Sequence, residues 1–135
     1  MKKLLFLPLL GMLALFSSWT VDPKTSLVLV DASNKVHELL SGNVKADVFK
    51  KEIKSWCLKY GKDTVKVNSL DFVYMPRKGD VMVYPVSIHN NHDLPAFIKQ
   101  IGKKVSAGDR IVLTNMIILS GKEKLKVANI NLVII

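Results

Sequence analysis

The chain has 135 residues, with 20 Lys and Arg against 11 Asp and Glu, a formal net charge of +9 and a single cysteine. One Cys excludes an intrachain disulfide, so the fold must rest on an apolar core. Arg77 and Arg110 are the only arginines. Nucleic-acid sites favour Arg forks and interleaved aromatics, and the absence of both patterns argues against a nucleic-acid partner.

Lys2 and Lys3 precede an apolar run from Leu4 to Phe16, broken only by Pro8 and Gly11; Ser17, Ser18 and Thr20 follow. A basic start, an h-region of about 7–15 apolar residues and a small-residue cut describe a secretory leader. A spanning helix needs roughly 20 apolar residues, more than this run supplies. The expectation is a signal peptide over residues 1–20 and a single mature domain over 21–135. That domain would have no stable membrane span and would work in the periplasm or outside the cell. No Cys follows the run, so lipid attachment at a lipobox is excluded. Loss of Lys2 and Lys3 leaves 18 basic against 11 acidic residues, a charge read first as a Lys-rich solvated surface.

Residues 26–31 (SLVLVD) are β-branched and end in a turn-like cluster at Ala32 to Lys35, which predicts a strand; residues 36–40 predict a second. From Lys45 the period changes. Phe49, Ile53, Trp56, Cys57 and Tyr60 recur at helical spacing with Lys50, Lys51, Lys54 and Lys59 opposite, predicting an amphipathic helix of about four turns stopped by Gly61. Cys57 then falls on the apolar stripe and reads as a buried, inert thiol. Residues 64–75 alternate as a strand whose phase slips at Asn68-Ser69, the mark of a β-bulge or of a strand that changes neighbours. After a turn at residues 76–80 comes a strand over 81–88. A second helix follows, with Asp93 as N-cap, Pro95 in the first turn and Leu94, Ile98, Ile101 and Val105 as its stripe. Residues 110–119 and 125–135 form a hairpin around a Gly-containing loop. Both runs are apolar on both faces centrally, as for strands buried between two layers. About six strands without βαβ alternation predict a mainly β fold. It would be an antiparallel β-sandwich, Ig-like, or an α+β fold, with two short amphipathic helices packed on the sheet.

Residues 105–118 (VSAGDRIVLTNMII) carry the most distinctive pattern. Gly108 suits a positive-φ turn, Asp109 ties that turn and Arg110 starts the next strand. This stretch resembles the GDR-centred signature of the C-terminal domain of the gliding-motility protein GldM family of Bacteroidota. There too a Gly-containing turn (here Ser120-Gly121-Lys122) and a closing strand follow. Residues 65–75, 79–86 and 96–101 are similar in order to the family's upstream segments. The similarity covers about residues 60–135, and more loosely the helix at 46–60. It implies a periplasmic β-fold domain that contacts protein partners in the cell envelope, in the gliding and type IX secretion machinery. The family's domain follows a transmembrane helix and further domains. This chain shows a leader and the terminal domain, which points to a stand-alone adaptor.

Chemistry is sparse. His89 and His92, with Asp93 beside them, are the only close pair of metal-ligand types, and no further His or Cys accompanies them, so no metal site is expected. There is no nucleophile elbow, no phosphate-cradling loop and no paired carboxylates; Asp63, Asp80, Asp93 and Asp109 all fall at turns and caps. Neither catalysis nor a cofactor is expected. The leading expectation is an exported interaction module with an envelope protein partner, homo-oligomerisation being left open. The alternative is a binder of anionic glycan or membrane surface through a basic face of Lys45, Lys50, Lys51 and Lys54.

Overall fold

The computed structural model describes residues 24–135; the expected leader lies outside the described residues. The strands in chain order are β1 (Thr25–Asp31), β2 (Val36–Leu39), β3 (Gly42–Val44), β4 (Ile53–Tyr60), β5 (Asp63–Met75), β6 (Met82–Ser87), β7 (Arg110–Ser120), β8 (Glu123–Lys126) and β9 (Ile130–Ile134). Helix α1 (Asp47–Lys50) precedes β4, and α2 (Leu94–Gly102) follows β6 through a 3₁₀ turn at Asn91–Asp93.

The two longest strands, β5 and β7, pair antiparallel and form the spine. Val67, Leu70, Phe72 and Tyr74 of β5 are buried, as are Ile111, Leu113, Met116 and Ile118 of β7. Side chains alternate across a strand, so each of these sets requires one slip of phase. The register shifts twice, between Val67 and Ser69 and again between Ser69 and Asp71. The first shift adds a residue to β5 at Asn68. The second adds one to β7 around Asn115, which adopts φ +53°. The two bulges cancel, and the inward face stays apolar along both strands. The sequence marked the first bulge at Asn68-Ser69, whereas the second is concealed within an apolar run.

Strands exchange partners at these bulges. On the far edge of β5, β4 pairs with Asp63 to Val65, and β6 takes over from Ser69 onward. On the far edge of β7, β9 pairs with Arg110 to Leu113 and β8 with Ile117 to Ser120. The order runs β2-β1-β4-β5-β7-β9-β3, with β6 attached to β5 and β8 to β7. Bulges bend strands at such corners, and β1 meets β9 across the interior. The result is a mainly β, sandwich-like sheet of nine strands with two short helices. All pairings among the described residues are antiparallel except β3 with β9, which is parallel. A three-residue strand such as β3 carries too little pattern to announce that exception.

Two sequence expectations are corrected. The four-turn helix is instead a single turn, α1, followed by a strand: Lys51 turns extended at ψ 151°, and Ile53–Tyr60 is β4. Trp56, Leu58 and Tyr60 also recur at period two, and Leu58 lies off the helical stripe yet is fully buried. β4 lies against β1, Leu58 opposite Leu27 and Trp56 opposite Leu29, and so occupies backbone groups that β1 would otherwise leave unpaired. The second correction concerns the last hairpin. Its return arm breaks into an exposed β8 and a separate β9, because the bulge in β7 separates the two pairing surfaces.

Helix α2 covers the sheet with Leu94, Phe97, Ile98 and Ile101. Phe97 meets Phe72 edge-on at 5.7 Å between centroids and stacks on Tyr84 at 5.1 Å. Gly102 ends the helix against α1, where a side chain would overlap the Phe49 carbonyl oxygen.

Candidate interaction surface

Gly108, Asp109 and Arg110 form the turn into β7. Gly108 has φ +97°, in the left-handed region that favours glycine, and the Arg77 side chain lies across its open side. Its N–H donates to the Ile134 carbonyl at 2.8 Å, and the Ile134 N–H returns a bond to the Asp109 carbonyl at 2.9 Å. Asp109 is only 2% exposed. Its carboxylate accepts the Tyr74 hydroxyl at 2.6 Å, the Arg77 N–H at 2.9 Å and the Ser106 N–H at 2.9 Å. Burial alone would raise this carboxyl, but the Tyr74 hydroxyl, the Arg77 and Ser106 amides and the Arg77 charge outweigh it and hold the group below the usual carboxylate value. Burial, and then the bond to Asp109, push the Tyr74 hydroxyl well above the usual phenol range. The cluster fastens the β5–β6 turn to the entry of β7. The Asp109 carboxylate and the Tyr74 hydroxyl are spent on structure.

The four candidate lysines are all exposed, but they share no helical face. Lys45 precedes α1, Lys50 ends it, Lys51 is its extended C-cap, and Lys54 lies on β4 with its ammonium donating to the Asn34 side chain. The stripe that grouped them disappears with the helix. Cys57 is likewise displaced: it stands half-buried on β4 opposite Val28. Trp56, expected beside it, points its indole N–H to the Asn91 carbonyl at 2.7 Å. His89 and His92 are exposed, and the one close partner of His92 is its neighbour Asp93 at 3.3 Å. Among the described residues no group of three His, Cys, Asp or Glu is placed to hold a metal ion.

What sequence reasoning missed is an apolar outer face on the β6–β5–β7–β9 half. Val83, Val73 and Val112 stand in one cross-strand row, with Val83 53% exposed and the other two half-buried. In the next row Met75 pairs with Arg110, which pairs with Val133; Val81, 54% exposed, immediately precedes β6. Sheets covered on one side normally present polar residues to water. The available signal was the doubly apolar character of residues 116–119 and 132–135, read as burial between two layers; of the residues on this face it touches Val133 and not Val73, Val83 or Val112.

One end of this face is basic, while Asp71, two residues before Val73 on the same face of β5, lies on the other side of the valine row. Both arginines of the chain lie at one end of it, Arg110 in the sheet and Arg77 in the turn after Met75, and both are exposed. Neither has a carboxylate within ion-pair distance among the described residues. The neighbouring edge of β6 is closed to strand addition from Pro85 to Ser87. Pro85 has no N–H to offer, the Asn90 amide donates to the Pro85 carbonyl at 3.0 Å, and the Ser87 N–H donates to the Asn90 side-chain oxygen at 2.6 Å. Among the described residues no helix is long and apolar enough to cross a membrane.

The chain matches none of the protein-family models and none of the curated proteins with which it was compared.

Proposed function

We propose that this chain is an exported, non-catalytic module that acts by binding another protein in the bacterial cell envelope. The carrying observation is the outer sheet face, where Val83 and Met75 stand exposed beside two arginines, with exposed Val81 just before β6. Such a face is costly to keep in water unless something covers it, and Arg and Met with aliphatic neighbours make up typical interface cores. The basic leader at Lys2 and Lys3 with the apolar run to Phe16 supports export. The resemblance of residues 105–118 to the GldM C-terminal domain supports an adaptor role near the gliding or type IX secretion machinery. It stands as a further proposal on the Gly108-Asp109-Arg110 turn.

Two measurements test this reading. Expressed from its own start codon in a bacterium, the chain is expected in the periplasm or medium with an N-terminus near residue 21. Recovery in the cytoplasm with the leader intact refutes export. Cross-linking in intact envelopes is expected to join the chain to a second protein, and its recovery with none refutes the binding role.

A further inference from the structure

Resting on that reading, we infer that the outer face of β6–β5–β7 is the docking surface, and that its occupant is a protein presenting aliphatic side chains with carboxylates at one end. The apolar part is the row of Val83, Val73 and Val112 with Met75 in the next row. The polar part is Arg77 and Arg110 at one end. The guanidinium is a planar fork that binds carboxylate through two parallel hydrogen bonds, and it is over-represented among the residues that dominate interface energy.

Three features select this occupant. First, the β6 edge is occupied at Pro85 and Ser87 by the ring and by Asn90, so a partner cannot add a strand along its length and engages side chains. Second, a second copy of the mature chain would bring the same arginines and an excess of 18 basic over 11 acidic residues against themselves, and like-charge juxtaposition opposes association. Third, Arg110 is held by the turn that Asp109 ties to β5. Asp109 accepts from Tyr74 and from the Arg77 backbone, so both arginines are presented from one braced corner. That bracing lowers the ordering cost of binding.

The test uses the full chain with a photo-cross-linking amino acid at Val81, on wild type and on Val83→Glu, Arg110→Glu and Lys50→Glu backgrounds. All three sites are exposed, and thermal unfolding of each variant checks that it folds. One cross-linked protein is expected for wild type and Lys50→Glu. Its yield should fall at least about tenfold for Val83→Glu and Arg110→Glu, matching the loss of roughly 1.4 kcal/mol or more. The cross-linked peptide should contain Asp or Glu, and its Glu→Lys change should restore binding to Arg110→Glu. Equal yields from all four chains, or a peptide without acids, overturn this surface while leaving a protein-binding role intact. A cross-link of the chain to itself overturns the acidic partner. Cross-linking at no position, including sites placed on the opposite edge at β2, removes both this inference and the function it rests on.

Discussion

Replacing Asp109 with Asn tests the corner that presents Arg110. The carboxylate accepts three hydrogen bonds, from the Tyr74 hydroxyl at 2.6 Å and from the Arg77 and Ser106 amides at 2.9 Å. An Asn of the same shape retains one acceptor oxygen and places an NH₂ where the second oxygen stood. With the oxygen kept toward Arg77, that NH₂ faces the Ser106 N–H donor to donor, while the Tyr74 hydroxyl can turn to accept. Hydrogen bonds to a charged group contribute about 1.5–3 kcal/mol each, and a buried donor left unsatisfied costs about 1–3 kcal/mol. The expected loss is about 3 kcal/mol, or on the order of 10 °C in Tm for a domain of this size. The pH dependence supplies a second readout. Asp109 has a folded-state pKa below its unfolded value, so its contribution is complete above the usual carboxylate pKa and is lost as pH falls through the depressed one. Denaturant unfolding from pH 7 down to pH 2 should therefore show a steeper loss of stability for wild type than for Asp109→Asn. A stability within about 0.5 kcal/mol of wild type at pH 7, or parallel acid profiles, would refute the bracing argument.

Other outcomes follow from the same geometry. Tyr74 has a folded-state pKa above its unfolded value, so its stabilisation is present below about pH 10 and erodes as pH rises beyond it; Tyr74→Phe should flatten the alkaline limb of a stability–pH curve. Gly102→Ala drives a methyl into the Phe49 carbonyl and should cost at least about 2 kcal/mol by chemical denaturation, since backbone cannot give way cheaply. Asn115→Val places a β-branched residue at φ +53° and removes the bond from the Asn115 amide to Asp71 at 2.9 Å, for an expected loss of about 2 kcal/mol. Lys50→Glu combined with Lys51→Glu should leave envelope cross-linking and its salt dependence unchanged, because these side chains stand apart from the valine face. Loss of attachment in that variant would instead favour the anionic-surface reading.

Local pattern was a good guide where one period ruled. The stripe of Leu94, Ile98, Ile101 and Val105 with Pro95 in the first turn gave α2; the first three lie in the helix and are fully buried, whereas Val105 is buried just beyond its end at Gly102. The capping role expected of Asp93 is not made, because the 3₁₀ turn at Asn91–Asp93 leads directly into the helix. The phase slip at Asn68 marked both a bulge and an exchange of neighbours. Local pattern failed between residues 51 and 60, where Phe49, Ile53, Trp56 and Tyr60 satisfy a helical spacing while Trp56, Leu58 and Tyr60 satisfy a strand. Two periods fitted one short segment, and β1 decided between them by offering a partner for Leu58 and Trp56. The candidate basic face was tied to the wrong period and dissolved with it. The apolar face could not be read locally, because a doubly apolar strand has the same sequence whether its second side meets a layer or meets water.

Residues near one another in the chain thus determined the β-rich class, the second helix and the turn at Gly108, since these depend on backbone preference and short-range alternation. The cancelling bulges, the parallel β3–β9 pair, the fate of residues 51–60 and the gathering of Arg77 and Arg110 beside Val83 depend on which strands find one another, a matter outside the period of any single segment. Each of those choices was made by the demand that inward apolar surface and backbone hydrogen bonds be satisfied together, a demand that exists only once the sheet has closed on its core.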